Sequence, residues 1–110
     1  MARRRRYSPQ ALEAAELLGA QIRLARLERR WSQQELAERA GITSDTLSKI
    51  ERGDPSVGLG SAFEAAALVG VPLFYDDRSR LTMDLDRVRS RSALLPQRVR
   101  TSQERVKDDF

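Results

Sequence analysis

Ser44, Asp45, Ser48, Lys49 and Arg52 recur at helical spacing, while Leu47 and Ile50 fall three apart on the other side of the same helix. One face can pack and the other offers hydrogen-bond donors and acceptors. A lysine ammonium donates to guanine O6 and N7, a carboxylate accepts from cytosine N4, and a serine hydroxyl does either. Lys49, Asp45 and Ser44, with Ser48 beside them, therefore carry the chemistry of base-edge reading in a major groove, and those nearest the helix start would reach deepest. Gln33, Thr43 and Arg52 sit at helix ends, where free N–H groups or a guanidinium suit a phosphate and would set register without reading sequence. Four consecutive arginines, Arg3, Arg4, Arg5 and Arg6, can track phosphates or enter a narrow minor groove.

The elements that must hold these side chains are legible from their caps. Ser32-Gln33-Gln34-Glu35 reads as a capping box that starts a helix over 33–40. Gly41 supplies a left-handed helix end, and Ile42 follows as an apolar plug between two helices. Thr43 caps the helix that carries the polar face, which runs to about residue 52 and is stopped by Gly53 and Asp54-Pro55. Cap, turn glycine, corner isoleucine and second cap fall in the order of a helix-turn-helix.

Composition narrows the remaining possibilities. With 110 residues, 40% hydrophobic and 33% charged, the chain fits a single small helical domain. It has no cysteine and no histidine, which removes disulfides, thiol nucleophiles, imidazole bases and Cys/His metal sites. Gly58 and Gly60 alone fall short of a phosphate-cradling loop, and no nucleophile–base pair is visible, so neither an enzyme nor a metal or cofactor is expected. No apolar run approaches the roughly 20 residues needed to span a bilayer, and a cytoplasmic protein is expected. The sequence pI near 10.3 suggests a polyanion, but the charge is unevenly placed. Residues 1–6 carry +4, residues 7–77 carry −4 and residues 78–110 carry +4. Generic attraction to phosphate must come from the two ends and from a local basic surface around the reader helix.

Four segments follow: a disordered basic arm over 1–7, a DNA-binding bundle over 8–75, a helical or mixed segment over 76–93, and a flexible partner-binding tail over 94–110. Ser8-Pro9 opens a first helix running to about residue 30, with Leu18, Ile22 and Ala25 inward and Leu24 and Leu27 either flanking the core or forming a contact surface. Arg26 falls beside the inner stripe, where a charge needs a partner, and Glu51 next to Ile50 is the expected one. Trp31 reads as a lid on the core rather than a stacking platform. A further helix over 59–69 should bury Leu59, Phe63, Ala66 and Val69. Leu81, Leu85 and Val88 favour a helix, although Leu81, Met83 and Leu85 also fit strand alternation. Leu94, Leu95, Val99, Val106 and Phe110 are apolar residues spread through a charged tail, which suits folding on a partner; the alternative is a tail that keeps DNA close.

Residues 18–71, through LGAQIRLAR and WSQQELAERAGITSDTLSKIERG, resemble the Xre/Cro-type helix-turn-helix family. The resemblance implies an all-α, compact, lambda-repressor-like bundle of about five helices, here with a basic arm before it and an extended tail after it. It also implies Gln33 on phosphate, Ser44, Asp45 and Lys49 on bases, and an Arg26–Glu51 pair holding the helices. Family members often carry glycine before the capping segment, where this chain has Arg30-Trp31. DPSVGLG at 54–60, VGVPLF at 69–74, and the ending ALLPQRVR to KDDF are similar to HipB-like antitoxins. That likeness implies a homodimer that binds a palindromic double-stranded DNA operator, represses its own operon and restrains a HipA-type Ser/Thr kinase toxin. Two alternatives stand beside it: a stand-alone repressor without a toxin, and an interaction module that mainly inhibits a kinase through its tail.

Overall fold

Caps and left-handed residues set the length of each helix. In a computed structural model, which describes residues 6–99, the chain forms five α-helices: α1 (Pro9–Glu28), α2 (Gln33–Ala40), α3 (Ser44–Glu51), α4 (Leu59–Leu68) and α5 (Arg78–Ala93). The Ser8 hydroxyl accepts from the Ala11 N–H at 3.2 Å, and Pro9 opens α1 with its φ already helical. The first four helices end alike. The N–H just after a left-handed residue turns back to a carbonyl in the last turn: Trp31 to Arg26 at 3.1 Å, Ile42 to Ala37 at 3.0 Å, Asp54 to Lys49 at 3.0 Å and Val71 to Ala66 at 2.9 Å. This motif needs a left-handed residue, supplied by Gly41, Gly53 and Gly70 in three cases. In the first case Arg30 supplies it, at φ 59°, which places a side chain where glycine is the low-cost choice.

The chain divides into two units, one up to Leu73 with α1–α4 and one from Phe74 onward with α5. In the first, α2 packs on α3 and α4, and α1 packs on α3. Ile22, Leu36, Leu47 and Val69 are fully enclosed, each contributing about 1.5–3 kcal/mol by leaving water. Trp31, Leu18 and Ala25 pack half-buried around them. α4 faces the core with Ala62, Ala65 and Ala66, whose short side chains let the helix come close. The expected burial of Leu59 is not met: it shares the phase of Ala62 and Ala66 but stands in the first turn, beyond the core's edge, and is 68% exposed. Phe63 is half-buried. A Cβ on Gly19 would run into the backbone carbonyls of Ile50 and Glu51, so α1 and α3 meet backbone to backbone at that residue.

In the second unit, Asp77 caps α5 by accepting from the Ser79 N–H at 2.9 Å. The segment is helical, and the strand-like alternation of Leu81, Met83 and Leu85 is incidental, because Met83 lies across the helix from Leu81, Leu85 and Val88. No residue of α5 is buried. The Tyr75 hydroxyl donates to Asp84 at 2.8 Å, Arg87 Nε donates to the same carboxylate at 2.8 Å, and the Arg80 guanidinium lies 4.9 Å from the Tyr75 ring centre. The Tyr75 hydroxyl and then Arg87 hold Asp84 below the ordinary carboxylate range, and the same carboxylate pushes the Tyr75 phenol up.

Candidate nucleic-acid interface

α2, the turn at Gly41 and α3 build the site. Ser32 Oγ accepts from the Glu35 N–H at 3.1 Å while the Glu35 carboxylate accepts from the Ser32 N–H at 3.4 Å, the reciprocal capping box that fixes where α2 begins. Thr43 Oγ1 accepts from the Thr46 N–H at 3.0 Å and its hydroxyl donates to Thr46 Oγ1 at 2.9 Å. The Thr43 side chain is thus occupied within α3, which leaves backbone N–H groups as the donors at that helix start.

Leu47 and Ile50 are buried, which turns Ser44, Asp45, Lys49 and Arg52 outward. Lys49 Nζ lies 3.4 Å from Asp45 Oδ2, an exposed pair one turn apart, and Arg52 Nη1 donates to half-buried Ser48 at 3.3 Å. An exposed ion pair one helical turn apart contributes only about 0.3–0.5 kcal/mol, so the Lys49–Asp45 contact does little to fix either side chain. Past α3, the Ser56 hydroxyl and N–H both donate to Asp54, at 2.6 and 2.8 Å. These bonds hold the Asp54 carboxyl below its ordinary range, the hydroxyl contributing most, and they fix the loop that follows α3.

The orientation of α3 is set from beneath by a buried charge pair. Arg26 Nε donates to Glu51 Oε2 at 2.7 Å, its Nη2 to Glu51 Oε1 at 3.0 Å, and its Nη1 to the Trp31 carbonyl at 2.8 Å. The two side chains are 8% and 3% exposed. Gln33 Nε2 also donates to Glu51 Oε1, at 3.1 Å. One carboxylate therefore ties the end of α1, the start of α2 and the end of α3 together. The Gln33 amide has a second N–H, which takes part in no hydrogen bond among the described residues. Sequence reasoning paired Glu51 with Arg26 but gave no sign that Gln33 joins them, because no spacing rule links residues 18 apart on different helices.

Trp31 is half-buried against the core, with the Arg39 guanidinium 4.1 Å and the Arg29 guanidinium 5.9 Å from its ring centre. Arg29 Nη1 also donates to the Val69 carbonyl at 2.5 Å, capping α4. The arm residues Arg3, Arg4 and Arg5, and the tail residues Val106 and Phe110, lie outside the described residues; Arg6 is exposed. Leu94, Leu95 and Val99 are exposed beyond α5. Among the described residues no helix is long and apolar enough to cross a membrane, and no acidic cluster could hold a metal ion.

Residues 22–75 match the family model described as helix-turn-helix. This segment is a helix-turn-helix domain. The domain is also similar to the uncharacterized HTH-type transcriptional regulator y4dL of Sinorhizobium fredii, at 43% identity over 51 residues, which are 46% of this chain and 26% of that protein. The chain thus spans about a quarter of the length of that relative. No solved structure matches the chain.

Proposed function

We propose that this chain is a sequence-specific DNA-binding transcriptional regulator that lays α3 in the major groove as a homodimer on a palindromic operator. The observation that carries the reading is the outward polar face of α3, Ser44, Asp45, Lys49 and Arg52, held rigidly by buried Leu47 and Ile50 and by the Arg26–Glu51 pair. The helix-turn-helix match and the regulator-like relative support it. On binding, the Lys49–Asp45 pair opens, Lys49 donates to a guanine edge and Asp45 accepts from a cytosine amine. Gln33 and Arg52 hold the flanking phosphates, together with the backbone at the start of α3 and the arginines of the arm. Two reader helices about 34 Å apart would reach successive major grooves. Selection from random duplexes should return a palindrome. Removing Arg3 to Arg6 should lower the slope of log affinity against log salt by up to about 3.6, near 0.9 for each phosphate that an arginine no longer neutralises. Recovery of random sequence at low salt would contradict the reading.

A second reading adds a partner: an antitoxin that represses its own operon and restrains a HipA-type kinase. What favours it is the antitoxin-like motifs together with Leu94, Leu95 and Val99, three large apolar side chains left open to solvent. Co-purification with the product of the neighbouring gene should yield a kinase-like partner in fixed ratio, and deleting residues 94–110 should abolish it. Absence of the partner would leave a stand-alone repressor.

A further inference from the structure

Two uncovered apolar stripes of opposite charge run along α1 and α5. On α1, Leu17, Ala20, Leu24 and Leu27 recur at i, i+3, i+7 and i+10, opposite the buried Ile22 and Arg26, and the three leucines are 61, 61 and 45% exposed. Glu13 lies in line with them one turn before Leu17, with Glu16 along one edge and Glu28 along the other, against Arg23. Among the described residues these glutamates make no ion pair. On α5, Leu81, Leu85 and Val88 recur at i, i+4 and i+7 and are 36, 45 and 47% exposed. Arg78 and Arg89 follow one edge of that stripe and Arg91 the other. Asp84 shares the Arg91 edge, but its carboxylate is taken up by Tyr75 and Arg87.

A 16-residue helix with no buried side chain is marginal in water on its own, so α5 needs a surface to lie on. Charge selects which one. Pairing α5 with a second α5 would set arginine edges against each other, and pairing α1 with a second α1 would do the same with glutamates. An α5 laid on an α1 joins leucine to leucine and arginine to glutamate. We propose that α5 of one copy docks on the α1 stripe of a second copy and that the second copy reciprocates, giving a two-fold dimer with two identical α1–α5 contacts. This rests on the homodimer of the proposed function and names its surface.

The test reverses charge on the full-length chain, whose monomer mass is 12.5 kDa. Light scattering over a dilution series gives the dimer dissociation constant, and circular dichroism checks that helix content is unchanged. Glu13→Lys with Glu28→Lys, or Arg78→Glu with Arg89→Glu, should each weaken the dimer about tenfold or more, and all four together should restore it to within a few-fold of the original. A monomeric parent chain, a dimer indifferent to the α1 pair, or a quadruple variant no better than the doubles would overturn the proposal. Binding to a single operator half-site is measured in parallel, because no substitution touches α3. Retained half-site binding with an indifferent dimer sinks the interface alone, whereas absent DNA binding by a normal dimer sinks the regulator reading alone.

Discussion

Glu51→Ala should cost far more stability than truncation of any exposed side chain of α3. It would leave the Arg26 guanidinium, now 8% exposed at its side chain, with the Trp31 carbonyl as its remaining partner, and it would release Gln33 as well. Stranding one member of a buried pair costs about 3–5 kcal/mol. Small domains hold roughly 0.05–0.15 kcal/mol per residue, or about 3–10 kcal/mol for a unit of this size, so the variant should lose a large part of its stability, and all of it if the parent lies at the low end of that range. If it folds at all, its Tm should fall by at least about 12 °C, at roughly 4–8 °C per kcal/mol. Replacing both partners, Arg26→Met with Glu51→Leu, removes the stranded charge and should recover most of the loss. Urea unfolding followed by Trp31 fluorescence is the direct assay, because Trp31 is the single tryptophan and its own carbonyl accepts from Arg26. A Glu51→Ala chain within about 0.5 kcal/mol of the parent, or a double variant as weak as the sum of the singles, would refute the view that this pair is buried and coupled.

Three further outcomes follow from the backbone and the second unit. Arg30→Gly should stabilise the fold by about 0.5–1 kcal/mol, since relief of left-handed strain of about 1–2 kcal/mol outweighs the added freedom of the unfolded glycine; an unchanged or lowered Tm would show that the Arg30 side chain compensates. Gly19→Ala should destabilise by about 1–3 kcal/mol or more, because the new methyl meets the carbonyls of Ile50 and Glu51, and denaturant titration reads the loss. Asp84 has a depressed pKa, so its bonds stabilise the second unit above the unfolded carboxylate pKa, and that contribution is lost as pH falls through the lower folded value. Tyr75→Phe should move the Asp84 titration upward, as seen by carboxyl NMR, and an unmoved titration would remove the Tyr75 hydroxyl as its main cause.

Much of this was legible in the residues themselves. The bounds of α2 and α3 follow from Ser32, Glu35, Gly41 and Thr43 because caps are local chemistry, and local chemistry survives folding unchanged. Glu51 was recognisable as the partner of Arg26 because a charge on a buried stripe demands one, and the two side chains lie 2.7 Å apart. Features set by tertiary contact were not legible. Leu59 has the right phase for burial but stands in the first turn of α4 and is left exposed, and Gly19 looks like an ordinary interruption of α1 until α3 lies against it. Arg30 could not be read as left-handed, since an arginine adopts that conformation only when the rest of the turn imposes it. The Lys49–Asp45 pair was within reach of the sequence, being an i, i+4 contact of opposite charges, yet each residue was read only for what it could offer a base.

Reading of bases by α3 is tested most directly by comparing the parent chain, Lys49→Ala and Gln33→Ala in selection from randomised operators, with affinities measured at one fixed salt concentration. Lys49→Ala should cost about 1–3 kcal/mol on the selected site and relax the preference at one base pair in each half-site, while Gln33→Ala should weaken all sequences alike. Identical sequence preferences for the parent and Lys49→Ala would contradict the assignment of α3 as the reader.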